Sequence, residues 1–523
     1  MIPGKMTQTF GRCPLSIILP AIILSLFATP LNAADWPMWG RTPDRNMVST
    51  EKGLPDSFDP GKFKAGTEEV DLATTKNVKW VAKLGSQAYG NVTVAGGKVF
   101  IGTNNETPRD PKYKGDYSMV MCFDEATGKY LWQLAVPKLG AGKVSDWEFL
   151  GICSSPHVEG DRVYVMSSRC EVLCLDINGM ANGNDGPFKE EAQYTAGQGK
   201  PPIEQGAQDG DIIWRFDMRE ELGVFPHNIT SSSILIVGDR LYAVTSNGQD
   251  WSHLYIPSPL APTLICLDKK TGKLLGEEAS EISKRIFHCN WASPAYGEIG
   301  GKSQVFFGAG DGFCYGFDPA PGKAKDGLDI LKELWRFDCN PPEHKLNKEG
   351  KPFKYPDAQG PSECITTPVF YKNRVYASVG QDPEHGDGVG ALSCIDATKS
   401  GDASKSGLVW RYKIGRSIST VSVADGLLYV AEYSGKVHCL DADTGKAHWV
   451  HDTQAHIWAS TLVADGKVYV GAEDGAFWVL AAGKEKKVIH KAEFPSPVYA
   501  SAIAANGVLY VQTHTHLYAI AKK

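Results

Sequence analysis

The chain has 523 residues, 42% of them hydrophobic and 22% charged, with a formal net charge of −6. That is ordinary globular material, long enough for several average domains or for one domain built of repeats. An acidic balance without a long basic run argues against a nucleic-acid partner.

Lys5 and Arg12 precede the apolar run Leu15 to Phe27, and Leu31-Asn32-Ala33-Ala34 offers a small-residue cleavage site, so residues 1–34 are expected to be a signal peptide. The run is interrupted by Pro14, Pro20 and Pro30 and is short for a membrane span. Cys13 lies on the wrong side of it for lipid attachment. Without Lys5 and Arg12 the net charge goes from −6 to −8. The mature protein is expected to be periplasmic or secreted, with no integral membrane span.

Residues 35–76 are rich in Gly, Pro and Asp and lack strand alternation, which predicts an irregular arm. Asn77 to Gly85, NVKWVAKLG, looks like the last strand of a blade whose first three strands lie at the far end of the chain. The repeating unit is clearest at Val421 to Val450: an apolar run, an Asp-Gly turn, LLYVAE, a Ser-Gly turn, KVHCLD, then Asp-Thr-Gly-Lys and a closing Trp449. It returns after about 40 residues, the period of a four-stranded propeller blade.

A small or polar residue nine places before an aromatic sets one register: Asn91 before Phe100, Ser155 before Tyr164, Ser233 before Tyr242, Thr367 before Tyr376, Thr420 before Tyr429, Ser460 before Tyr469 and Ser501 before Tyr510. Ser293 keeps its place ahead of Phe307 across a Gly300-Gly301 insertion, which makes eight repeats. Trp132, Trp214, Trp335, Trp410 and Trp449 close the outer strands, Trp80 serves the eighth repeat, and the third and seventh lack one. The expected fold is all-β: an eight-bladed β-propeller of four-stranded antiparallel blades over residues 77–523, closed by pairing of its N-terminal strand with the last blade. The insertion Asn178 to Asp211, rich in Gly, Glu, Gln and Pro, reads as a mobile loop between the third and fourth strands of the second blade. Cys122, Cys174, Cys266, Cys394 and Cys439 each precede an Asp by two residues in five different repeats, too far apart for bridges, and read as buried fillers. The remaining mature cysteines leave one or two disulfides open.

The phrases CFDEATGKYLW, CLDKKTGKLL and CLDADTGKAHW resemble the tryptophan-docking repeat of pyrroloquinoline-quinone (PQQ)-type propellers, A-x-D-x-x-T-G-K-x-x-W. The resemblance covers about residues 77 to 520. It implies the quinoprotein-like propeller fold but not one activity, since the family includes quinone-dependent dehydrogenases and non-enzymatic outer-membrane-protein assembly propellers.

In an up-and-down blade, the loops joining strands two and three and those joining blade to blade emerge on one face. Here they carry DWEFLG, FPHN with His227, SNGQDWSH with His253, FHCNW and QDPEHGDG. Candidate ligand- or cofactor-binding residues are Asn247, Asp250, Trp251, His288, Trp291 and Trp458. Asp382, Glu384, His385 and Asp387 form a candidate metal loop, rich in the oxygen donors that suit calcium. His514 and His516 alternate as if on one side of a strand. Tyr89, Trp291, Trp458 and Tyr499 recur two places before the inner-strand position, where they stack on a flat ligand or pack the channel.

By the resemblance, TSNGQDW looks like the stretch that supplies an asparagine ligand to calcium, at Asn247, and Glu171 is the candidate for the glutamate ligand. FHCNWAS looks like the stretch carrying the catalytic aspartate, but Cys289 and Ala292 stand where its carboxylates should be, and no adjacent cysteine pair exists. No phosphate loop, nucleophile elbow or zinc-spacing motif appears. Two readings follow. In the first, the chain is a non-catalytic binding or scaffold module whose polar face takes a protein segment or a small ligand. In the second, it is a divergent PQQ-dependent oxidoreductase, alcohol dehydrogenase-like, with calcium.

Overall fold

Paired left-handed residues at Asp425-Gly426, Asp465-Gly466 and Asn506-Gly507 give tight turns whose twist matches that of the strands they join. Each apolar run therefore folds straight back on the one before it. Blade 6 shows the result, with strands Ser422–Ala424, Leu427–Ala431, Lys436–Asp441 and Ala447–Asp452 paired antiparallel in sequence order. The computed structural model describes residues 1–4, 35–325 and 328–522. Apart from its first four residues, the expected leader lies outside them.

Eight such sheets succeed one another, over residues 93–137, 157–217, 235–278, 295–338, 369–415, 422–452, 462–493 and 503–520. The eighth takes its outer strand from the start of the chain: Val78–Lys83 pairs with His516–Ile520, placing Trp80 opposite Ala519 and Val81 opposite Tyr518. The sheets at the third and fourth positions exceed four strands. The hairpin Gly322–Lys325 and Leu328–Leu331, inserted from the fourth repeat, adds parallel to Leu274–Glu278, and Gly401–Asp402 adds to Glu333–Asp338. The third repeat lacks an outer tryptophan, and the hairpin covers the edge left bare.

The docking phrase has a physical basis. Trp80 Nε1 donates to Glu125 O at 3.0 Å, Trp214 to Lys269 O at 3.2 Å and Trp410 to Ala442 O at 3.1 Å, each reaching the Asp-x-x-Thr-Gly turn of the next blade. In that turn the Asp124 carboxylate accepts from the Thr127 amide and hydroxyl. Gly128 is left-handed (φ +70), and a Cβ there would lie 2.5 Å from the Trp80 ring. Gly272 and Gly445 hold the same relation to Trp214 and Trp410. Glycine at this point both makes the turn and leaves room for the indole.

The small residues of the inner strands also link neighbours. Ser233 Oγ accepts from Ser155 N, Ser293 Oγ from Ser233 N, Ser460 Oγ from Thr420 N, Ser501 Oγ from Ser460 N and Asn91 Oδ1 from Ser501 N, at 2.7–2.9 Å. A short side chain with an acceptor oxygen satisfies a backbone amide that faces the channel.

Residues 36–49 bond to the inner strand, or the residue leading into it, of every blade. Trp36 pairs with Val94, Pro37 O accepts from Val158 N, Pro43 O from Tyr296 N, Asp44 O from Phe370 N, and Ser49 N donates to Val463 O. Asn46 Nδ2 donates to Val423 O and Ser49 Oγ to Ala504 O. Arg45, fully buried, donates to Ile234 O, Pro294 O and Trp39 O at 2.7–2.9 Å. The arm runs from blade to blade around one end of the channel and turns Trp39 into it, which narrows that end and makes the ring a cup.

The insertion after the second blade's third strand is folded, against the expectation of a mobile loop. It contains the helix Glu191–Ala196, Tyr194 Oη donates to Glu171 Oε2 at 2.7 Å, and Asp209 accepts from Tyr113 Oη and Lys112 Nζ. The eleven cysteines among the described residues are free thiols, so none of the disulfides left open by the sequence is formed.

His157 and His516 are buried and His514 is half-buried, and burial holds their imidazoles down to about 3, 4 and 4 in the order His157, His514, His516. An unfolded histidine titrates near roughly 6.5. Between about pH 6.5 and 4 the unfolded chain therefore binds protons that the folded chain does not, and stability falls as pH falls. Thermal melts across that range should show Tm decreasing already above the carboxylate range, and a Tm that rises on acidification would contradict this.

Candidate functional site

The end of the channel opposite the arm opens into a cavity of about 480 Å³, with Trp39 of the arm in its lining. Its walls are the loops that lead into the inner strands. Tyr89, Trp147, Trp291, Trp458 and Tyr499 supply the apolar surface, and inner-strand residues such as Asn91, Ser293 and Thr420 supply hydroxyls and amides. Trp458 and Tyr499 lie parallel, their centroids 4.6 Å apart and planes 4° apart, with Tyr89 tilted against both. Trp458 Nε1 donates to Glu473 Oε2 at 3.1 Å, which fixes the indole. The charged side chains in the lining are Asp382 and Glu384, and no Lys or Arg is among them.

Beside Trp291 the loops of several blades bring histidines together. His288 Nε2 lies 2.7 Å from His227 Nε2 and 3.0 Å from His253 Nε2. One ring nitrogen of each of the three histidines lies within 4.8 Å of the other two. On its other side, His288 Nδ1 is 2.9 Å from Asp382 Oδ2 and 3.0 Å from Tyr355 Oη. His385 Nδ1 is also 2.9 Å from Asp382 Oδ2. That oxygen lies off the hydrogen-bond axis of both rings, and the aligned partner of His288 Nδ1 is Tyr355 Oη. His227 Nδ1 donates to Gln249 O at 2.6 Å. Tyr355 Oη donates to Glu363 Oε1 at 3.3 Å.

Burial dominates the electrostatics. It holds the His227 imidazole down to about 3, helped by the neighbouring His288, and lowers His288 and His253 as well. Burial and the nearby Asp382 charge push the Glu363 carboxyl well above its usual range. Burial also opposes ionisation of Asp382, but His288 and His385 outweigh it and hold that carboxyl below the usual range. His288 and His385 thus favour the ionised form of Asp382, whereas burial favours the neutral form of Glu363.

Of the residues the sequence singles out, His288, Trp291, Asp382 and His385 come together, and Trp458 stands on the cup wall. Asn247 is buried: Oδ1 accepts from Phe225 N, and Nδ2 donates to Ser258 O and Ser283 Oγ. Asp250 shapes its own loop through Ser252 Oγ and Tyr255 N, and Trp251 is half exposed. The acidic loop does not form an oxygen cage. Asp382 Oδ1 caps the Glu384 amide, Glu384 is an exposed side chain on the cup lining, and Asp387 reaches only towards His456 at 3.9 Å. Nor do His514 and His516 share a face: His514 packs on Tyr499 and Tyr89, whereas His516 packs on Phe63 of the arm. The partners that sequence reasoning left unselected are His227 and His253. The available signal was one histidine in each of three loops that the repeat register places on the same face.

A family model described as outer membrane protein assembly factor BamB, of the PQQ-like propeller type, matches residues 73–336 and 389–523. The chain belongs to this PQQ-like propeller family. Two curated relatives are named as enzymes. The quinohemoprotein alcohol dehydrogenase of Comamonas testosteroni is 31% identical over 116 residues, 20% of this chain and 16% of that one. The 1-butanol dehydrogenase (cytochrome c) of Thauera butanivorans is 32% identical over 101 residues, 17% and 15% of the two chains. The chain therefore spans about a sixth of the length of these relatives. The crystal structure of BamB from Moraxella catarrhalis aligns with a TM-score of 0.51 and 13% identity, covering 85% of this chain and 97% of that chain, a likeness of fold.

The residues of this PQQ-like propeller do not fit the quinone and calcium in the arrangement the resemblance implies. Asn247 is buried, and its Oδ1 is turned onto Phe225 N. Glu171 is buried against Arg215 at 2.9 Å and accepts from Ser167 and Tyr194. Cys289, in place of a carboxylate, is a buried thiol that donates to Ser246 O at 3.1 Å. A tricarboxylate quinone would also meet a cup whose lining carries acids and no cation.

Proposed function

We propose that the chain is an exported, non-catalytic binding module whose cup takes a small neutral or cationic ligand with a flat ring face. The reading rests on one observation above the rest: an aromatic-walled cavity, narrowed at its base by the arm and charged only by Asp382 and Glu384. Flat π-faces attract ring compounds and cations, and the acids repel anions. Export is supported by the basic, apolar and small-residue order of residues 1–34 and by the family. No helix among the described residues is long and apolar enough to cross a membrane.

The test against the enzyme alternative is to titrate the purified chain with PQQ and Ca²⁺ at micromolar concentration. No shift in cofactor absorption and no dye-linked alcohol oxidation are expected. Saturable binding accompanied by turnover would overturn the proposal. A second reading, docking of an extended protein segment, is favoured by the loop beside the cup, where Trp251, Leu254, Tyr255 and Leu260 are exposed. Binding that requires an apolar peptide and is absent with every small ring compound would move the assignment there.

A further inference from the structure

We propose that His227, His253 and His288 bind one late first-row divalent cation, Cu²⁺ or Zn²⁺, through their Nε2 atoms, with a further coordination position left for water or a ligand. The donor set is three imidazoles without thiolate or a caged carboxylate, which suits these borderline cations and not calcium or magnesium.

The hydrogen-bonding partners turn imidazole lone pairs towards the centre of the cluster. Gln249 O can only accept, so His227 carries its proton on Nδ1 and turns a lone pair on Nε2 towards His288, 2.7 Å away. If His288 carries its proton on Nδ1, facing Asp382 at 2.9 Å, its Nε2 lone pair meets that of His227 head-on. If it carries the proton on Nε2, that N–H points at His227 and the Nδ1 lone pair can accept from Tyr355 Oη at 3.0 Å. The first form sets lone pair against lone pair, a conflict that a cation at the meeting point of the Nε2 atoms removes, and the second satisfies the cluster without metal. With the cation bound, a backbone carbonyl orients His227, and Tyr355 Oη with the Asp382 carboxylate beside it orients His288, the kind of outer contact that holds metal-bound histidines.

Metal–nitrogen bonds of about 2.0–2.1 Å at a tetrahedral centre require nitrogens roughly 3.3 Å apart. The observed 2.7 and 3.0 Å call for the rings to part by about half an ångström. His253 sits in the loop bearing the exposed Trp251, Leu254 and Tyr255, so metal binding also pins that loop to the face of the cup. Two other arrangements satisfy the contacts, a neutral His288 protonated on Nε2 that accepts from Tyr355 Oη and a doubly protonated His288 beside Asp382, and either is the meaning of a metal-free result below.

The experiment uses the full mature chain, stripped with chelator, loaded separately with Cu²⁺, Zn²⁺ and Ca²⁺, and desalted before metal analysis. One equivalent of Cu²⁺ or Zn²⁺ is expected to remain and no Ca²⁺, with competition between the two deciding which is held more tightly. The Cu²⁺ form should show electron paramagnetic resonance hyperfine structure from several imidazole nitrogens. His253→Ala changes only a partly exposed loop and should weaken retention at least a hundredfold. Asp382→Asn should weaken it about ten- to a hundredfold. His456→Gln, on the same face, should leave it unchanged. Added metal should protect the 251–260 loop from protease in the parent and not in His253→Ala. Retention that survives His253→Ala, or no retention by the parent, overturns the proposal. Either result leaves the ring-ligand reading standing, since that reading is tested without metal.

Discussion

A chain lacking Asn77 to Gly85 will lose its single cooperative unfolding transition. The segment does two jobs at the seam of the ring. Val78–Lys83 supplies the outer strand of the last blade, and Trp80 docks on Glu125 O and Gly128 of the first. Without it, His516–Ile520 becomes a bare sheet edge and the first blade loses the indole that fills its turn. Each blade buries its faces only against its neighbours, so an opened ring frays from the seam. The milder change Trp80→Ala should cost about 3–5 kcal/mol, the usual result for removing a buried indole. Calorimetry checks both. The deletion should broaden the transition until the van 't Hoff enthalpy falls well below the calorimetric one. A truncated chain that melts as sharply as its parent would show that the seam does not close the ring.

Arg45→Ala should release the arm. The guanidinium is fully buried, and three backbone carbonyls, of Trp39, Pro294 and Ile234, accept from it. Burial lowers its pKa to about 9, yet it remains charged at neutral pH. Truncation leaves the Trp39 and Pro294 carbonyls with no donor and Ile234 O with a long 3.4 Å contact to His157 Nδ1, and it removes the side-chain joint between the arm and the third and fourth blades. With about 1–3 kcal/mol for each stranded group, the loss is on the order of 4 kcal/mol. Arg45→Lys should restore little of it, because one ammonium cannot span three carbonyls in a fixed fork. The measurement is limited proteolysis at neutral pH. Cleavage within residues 36–50 should accelerate while residues 93–520 stay intact, and an arm as resistant as the parent's would contradict the assignment.

The blades were legible because their signals are local. An Asp-Gly pair makes a hairpin wherever it stands between two apolar runs, and Asp-x-x-Thr-Gly makes the turn on which a tryptophan docks. Even the seam could be read, since a Trp80 strand without its blade and a last blade without its strand are each visible. The arm's path left no such trace, because residues 36–49 bond mainly to the backbone of eight separate strands. The folded insertion was read as mobile from its composition, although Tyr194 and Asp209 anchor it to residues distant in sequence. The histidine cluster was hidden in the same way: its members come from three loops, His288 standing 35 and 61 positions from its partners. Asn247 stood out by the resemblance, and its buried amide holds the loops together. The acidic loop stood out by its oxygen donors, and its Asp382 lies against His288 and His385.

The most direct test of the cup as a binding site is tryptophan fluorescence of the metal-free chain. The probes are a neutral oligosaccharide such as cellotetraose, the cation benzyltrimethylammonium and the anion benzene-1,3,5-tricarboxylate. Saturable quenching by the neutral or the cationic probe, lost in a Trp458→Ala, Tyr499→Ala double variant, is the predicted result. Saturable quenching by the tricarboxylate alone would contradict it.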